Sequence, residues 1–159
     1  TWRMDPFYSL VVFEELQQVE NASLEEGLDQ LGKEIRDNLS EQHYLTDVRI
    51  NGALQTLGEV SEYTAMERGG RLTFMFILPL ETPQPLAGAT LTYQVFDPTY
   101  YLEVVHEAEN NQPRDDALML HGAPDCELTV LPAALLDKDE SGEPGLGRFF
   151  AETGSVDCR

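Results

Sequence analysis

The hydrophobic period changes once along this chain, and that change decides its fold class. Leu24, Leu28, Leu31, Ile35 and Leu39 recur at steps of four, three, four and four, with Glu, Asp, Lys and Arg on the positions between. That spacing lays one apolar stripe along an α-helix. Ser23, followed three residues later by Glu26, gives the helix a capping box. Asp5-Pro6 opens an earlier helix that continues through Phe7, Leu10, Val11, Phe13 and Leu16 to about Val19. Its acceptor sits at the N-cap, and the proline after it lacks only an N–H that would be orphaned anyway.

Beyond His43 the period drops to two. Val48 and Ile50 lead into Asn51-Gly52, a favoured two-residue hairpin turn. A strand is expected through Val60, Tyr63 and Met66, then a turn at Gly69-Gly70, then a strand from Arg71 to Leu78 with both faces covered. Thr90 to Phe96 alternates Leu91, Tyr93 and Val95 against Thr90, Thr92 and Gln94, and Asp97-Pro98 turns the chain. Strands are expected again at Tyr100–Val105, Leu118–Leu120, Glu127–Leu131 and Phe149–Cys158. The polar stretches Glu107–Asp116 and Asp137–Gly147 read as loops. Two helices followed by hairpin-linked strands make an α+β fold, a mainly antiparallel sheet or sandwich with two N-terminal helices. At 159 residues, positions 1–159 amount to one domain. A chain that opens on Thr1-Trp2, with no initiator Met, is expected to be a piece of a longer protein.

Charge narrows the partners. Ten Lys plus Arg against 29 Asp plus Glu leave a net charge of −19, the wrong sign for displacing counterions from nucleic acid or for an anionic lipid surface. No apolar run approaches the length of a membrane span, and none of these residues is expected to form a signal peptide. Enzymatic motifs are missing too. There is no Gly-x-Ser-x-Gly elbow and no glycine-rich phosphate loop, and carboxylate pairs in so acidic a chain say nothing about acid–base work. The chain therefore reads as no enzyme.

Metal ligation is the chemistry left to weigh. His43, His106 and His121 share no ligand spacing, so surface or strand-edge histidines are the better reading, although separated histidines can converge in a fold with carboxylates to help. His106 stands among Glu103, Glu107 and Glu109, which favour a proton on its ring as readily as zinc. Asp137, Asp139, Ser141 and Gly142 copy the first half of an EF-hand loop, but its twelfth position is Arg148, and a solvated acidic loop is the better reading. Asn21 and Asn38 begin chance glycosylation patterns. Cys126 and Cys158 each fall on an alternating stretch, and residues alone leave open whether they form a disulfide or stay as two buried thiols.

Five segments in order resemble a bacterial family, domain-of-unknown-function family 1007. They are Asp5-Pro-Phe-Tyr-Ser9 after a Trp, Gly70-Arg-Leu-Thr-Phe74 running into Leu78-Pro-Leu80, and Phe96-Asp-Pro-Thr-Tyr-Tyr101. Gly122-Ala-Pro-Asp-Cys126 and Gly145-Leu-Gly through Phe150-Ala-Glu to Cys158 complete the match. Members are often labelled as the periplasmic component of an uncharacterised ABC-type transport system. The resemblance implies export in a Gram-negative bacterium, and with it a Cys126–Cys158 disulfide. It also implies a signal peptide and a His-Pro-His strand ahead of Thr1, and metal handling beside nickel/cobalt-type permeases. Where many relatives carry an Asp/Gly-rich loop this chain has Glu20-Asn-Ala-Ser23, which speaks against calcium there.

The function expected is thus a non-catalytic periplasmic accessory protein for transition-metal transport (zinc, nickel or cobalt), docking on an inner-membrane metal permease or ABC transporter. His43 and His106 are the candidate ligands; Asp97, Tyr100 and Tyr101 would shape the binding site. The alternative is a structural protein–protein interaction module with no metal role, its acidic surface serving only solubility.

Overall fold

A computed structural model describes residues 1–18, 23–99, 102–122, 125–133 and 151–159. They form two helices and antiparallel sheets, an α+β fold, and divide into two compact units.

The first unit comprises Thr1–Tyr44 and Gly58–Glu81. Its sheet has the order β1 (Trp2–Arg3), β5 (Arg71–Phe76), β4 (Tyr63–Arg68). Helix α1 (Pro6–Gln17) packs on β5 and helix α2 (Leu24–Glu41) on β4. Both helix starts follow the expected chemistry: the Asp5 carboxylate accepts from the Tyr8 N–H at 2.9 Å, and the Ser23 hydroxyl from the Glu26 N–H at 3.2 Å. Leu28 and Leu39 of the α2 stripe are buried, and between them Gly32 lets the helix approach β4, where a Cβ would meet Ala65 at 3.3 Å. Leu72, Phe74 and Val60 complete the core. Phe74 and Phe76 stack at 5.3 Å, and Trp2 meets Phe76 edge-on at 5.3 Å.

Two expectations in this unit shift, and the turn that leaves it adds a feature of its own. Val60 is buried but precedes the strand, because its N–H is donated to the Tyr44 hydroxyl at 3.0 Å instead of to a ladder. The second strand stops at Phe76, leaving Ile77 59% exposed, so only Thr73 of the second face is fully covered. His43, Tyr44 and Leu45 all take positive φ (50°, 56° and 53°), a left-handed turn that costs about 1–2 kcal/mol per residue. Burial of the Tyr44 ring and its bond to Val60 offset part of that cost.

The second unit comprises Leu45–Leu57 and Thr82–Arg159. Its sheet is ordered β3 (Ala53–Leu54), β2 (Thr46–Ile50), β6 (Thr90–Val95), β10 (Thr153–Asp157), β9 (Glu127–Leu131). Asn51 and Gly52 close the β2–β3 hairpin at φ 49° and 82°, the left-handed pair that this turn requires. A small hairpin, β7 (Ala108–Glu109) with β8 (Gln112–Pro113), rises within the expected polar loop. Cys126 and Cys158 lie one residue outside the paired ends Glu127 and Asp157, and they are joined as a disulfide.

Two expected strands are absent among the described residues. Residues 102–106 are irregular, since the Leu102 N–H is donated to the Asp97 carboxylate at 3.0 Å rather than to a ladder. Leu118–Leu120 follows a turn closed by the Ala117 N–H on the Arg114 carbonyl, and Met119 is exposed. Alternation over three residues does not secure a partner strand. Tyr100, Tyr101 and the acidic loop 137–148 lie outside the described residues.

Candidate functional site

Strand β6 carries Tyr93, and the register of β10 sets Gly154 directly opposite it. The tyrosine ring lies over that glycine: a Cβ built on Gly154 would collide with Cε1, Cζ and Oη of Tyr93. An aromatic ring covering a cross-strand glycine is a recurring sheet device. Here it aims the phenol at the irregular segment before β7, where His106 sits.

His106 is held at both ring nitrogens. The Tyr93 hydroxyl lies 2.6 Å from Nε2. On the other side Glu152, just before β10, takes the Nδ1–H at 3.1 Å and the His106 backbone N–H at 2.5 Å, both on Oε1. A carboxylate only accepts, so the hydrogen-bond network places a proton on Nδ1; in the neutral ring Nε2 then accepts from the phenol. The His106 and Glu152 side chains are 13% and 22% exposed, and the Tyr93 and His106 rings are 5.6 Å apart. Burial, and after it the negative charge of Glu152, push the Tyr93 phenol above its ordinary pKa. At neutral pH it is therefore a proton-bearing donor, not a phenolate.

The residues singled out from sequence are distributed unevenly. His106 is at the centre of this group, and the carboxylate of Glu152, forty-six residues on, bonds it. His43 is exposed in the first unit, on the left-handed turn. Asp97 organises its own turn, accepting from the Thr99 N–H at 2.8 Å, the Thr99 hydroxyl at 2.6 Å and the Leu102 N–H. Among the described residues no three of His, Cys, Asp and Glu gather as metal ligands. Tyr93 and Glu152 were not anticipated. For Glu152 the signal was parity, because it shares the strand face of Gly154, Val156 and Cys158, all buried. A carboxylate aimed inward needs a partner.

Among the described residues no helix is long and apolar enough to cross a membrane. The disulfide fits a location outside the cytoplasm. An uncharacterized protein of Haemophilus influenzae is 23% identical to the chain over 167 residues, which cover 99% of the chain and 79% of the relative. No solved structure matches. The family described as protein of unknown function DUF1007 matches residues 1–158, and the chain belongs to that family.

Proposed function

We propose that this protein is a non-catalytic periplasmic accessory protein for transition-metal transport, capturing zinc, nickel or cobalt and delivering it to an inner-membrane permease or ABC transporter. One observation carries the reading: Glu152 holds His106 through Nδ1. Ligating histidines characteristically give their second ring nitrogen to a carboxylate, which fixes the tautomer and raises the basicity of the donor atom. The described residues offer one oriented imidazole with a phenol beside it, and no three-ligand cluster. That set does not fit a structural zinc site, which is closed by four protein ligands. It suits a cargo ion that keeps water in its remaining positions and must leave again. The net charge of −19 draws cations toward the surface, within the 8–10 Å reach that salt leaves.

Titration calorimetry with zinc, nickel and cobalt at physiological salt tests this. Saturable binding lost in His106→Ala, and weakened roughly 10- to 100-fold in Glu152→Gln, supports it. Binding that survives His106→Ala, or only weak salt-sensitive binding to every cation, overturns it.

A second reading, the interaction module, has its own support in the outward face of α1. Phe7, Leu10 and Val11, at the i, i+3, i+4 spacing of a helix that docks in a groove, are 76%, 54% and 40% exposed. Under this reading Leu10→Asp leaves the thermal midpoint unchanged and abolishes docking to the partner.

A further inference from the structure

We infer that the outward face of α1 docks an amphipathic helix of another protein, one whose apolar seam is flanked by Lys and Arg. The inference rests on the interaction-module reading above and names the chemistry of its partner. Beside Phe7, Leu10 and Val11 the face carries Tyr8, 49% exposed, and so many large side chains in two helical turns make a docking patch. The helix does not roll to cover them. Ser9, on its opposite side, is fully buried, and its hydroxyl accepts from the Leu72 N–H of β5 at 2.9 Å.

Charge on the same face selects the partner. Glu14 stands four residues after Leu10 and Glu15 four after Val11, so two apolar rows each end in an exposed carboxylate. Helix stability does not account for these acids. They occupy the last turn of α1, where the dipole favours cations, and no basic residue stands there. Among the described residues no Lys, Arg or His forms a salt bridge with either. An apolar patch that runs into two such acids matches a helix offering leucine-like side chains beside cations. A second copy of this chain would bring the same acids and a net charge of −19 against them. An anionic lipid surface has the wrong sign as well.

The test uses the full 159-residue chain with its disulfide intact, at physiological salt. The probes are two synthetic peptides of about 18 residues, long enough to hold a helix. Both carry the same leucine seam, flanked by lysines in one and by glutamates in the other. Titration of the fluorescently labelled lysine peptide is expected to saturate, with the amide shifts of the protein concentrated in α1. Leu10→Asp is expected to weaken that binding by roughly tenfold or more, although it adds a negative charge, and to leave the thermal midpoint unchanged. Glu14→Gln with Glu15→Gln is expected to weaken it about two- to tenfold.

Binding that Leu10→Asp leaves unchanged or strengthens is surface charge alone and overturns the inference. Equal binding of the glutamate peptide, or unchanged affinity in the double glutamine variant, overturns the basic partner and leaves α1 a docking face. So does self-association of the chain, or partition onto phosphatidylcholine vesicles, that Leu10→Asp abolishes while the lysine peptide fails to bind. No binding in any of these arms removes the docking reading of α1 together with the inference.

Discussion

Consider Gly154→Ala as a test of how the second unit is packed. The added methyl enters space held by Cε1, Cζ and Oη of Tyr93. The backbone has no room to retreat, because β10 is paired over five residues with β6 on one side and five with β9 on the other. The ring must therefore swing, and in doing so it leaves His106. Overpacking of this kind costs about 1–3 kcal/mol, and the lost phenol–imidazole bond adds about 1 kcal/mol. Against that, alanine restricts the unfolded chain and returns about 0.4–1 kcal/mol. The net expectation is a loss of about 1–3.5 kcal/mol, or a drop in midpoint of about 3–12 °C for a chain of this size. Thermal denaturation measures it, and a double-mutant cycle assigns it. In a Tyr93→Ala background the methyl has space, so Gly154→Ala should there be neutral or slightly stabilising. The coupling between the two sites should then exceed about 1.5 kcal/mol, well beyond the error of additivity for independent positions. Equal effects in both backgrounds, or a cost below about 0.5 kcal/mol in wild type, would refute the collision and with it the placement of the tyrosine ring.

Ser9 offers a separate test in the first unit. It is fully buried, its hydroxyl donates to the Asp5 carbonyl at 2.8 Å and accepts from the Leu72 N–H at 2.9 Å. Ser9→Ala orphans that N–H and is expected to lower stability by about 1–3 kcal/mol in urea titration, whereas a surface serine such as Ser40 should change nothing measurable. Reducing Cys126–Cys158, which closes a loop of sequence separation 32, should cost about 3–4 kcal/mol by loop entropy; a midpoint indifferent to dithiothreitol would contradict the linkage. Bonds from the Arg159 side chain and backbone, then from Thr90, hold the Asp157 carboxyl at about 2, below its ordinary 3.8. A depressed acid stabilises the fold above its unfolded pKa, and that contribution is lost as pH falls from about 4 to about 2. Carboxyl NMR on the chain should find Asp157 titrating near 2, and an ordinary value would sink the assignment.

Local chemistry was legible from residues because it is decided within a few positions. Asp5, Ser23, Asn51-Gly52 and Gly69-Gly70 each act on backbone three residues away or less, and each stands where the expected cap or turn stands. Strand ends were less legible, because a ladder needs a neighbour that the sequence does not name. Val60 lost its strand to Tyr44, sixteen residues back. Leu102 lost its own to Asp97, whose carboxylate competes for the same N–H. In both cases a side-chain oxygen outbid a ladder carbonyl, which alternation of apolar residues cannot reveal.

The His106 site sits further along the same scale. Its partners lie thirteen and forty-six residues away in sequence, beyond the reach of the flanking residues that a reading along the chain weighs first. What the sequence did contain was a misplaced charge and a missing side chain on one strand. Glu152 and Gly154 share the buried parity of Val156 and Cys158. A strand that spends one inward position on a carboxylate and the next on nothing calls for a polar partner at the first and a large ring at the second. Tyr93, opposite Gly154 and a good strand former, supplies the ring; the polar partner follows as a group able to bond both Glu152 and a phenol. Histidine alone among the side chains presents two opposed ring nitrogens, a donor and an acceptor in its neutral form. Changing one end of this chain of bonds is then a sharp test of the logic. Glu152→Gln keeps an acceptor oxygen where the His106 backbone N–H and Nδ1–H are both held and should leave the tautomer as it is. Glu152→Leu removes that acceptor and frees the ring to carry its proton on Nε2 as a donor to the tyrosine oxygen. In Glu152→Leu His106 should show the switched tautomer in its nitrogen-15 spectrum; an unchanged tautomer there would mean that Glu152 does not set it.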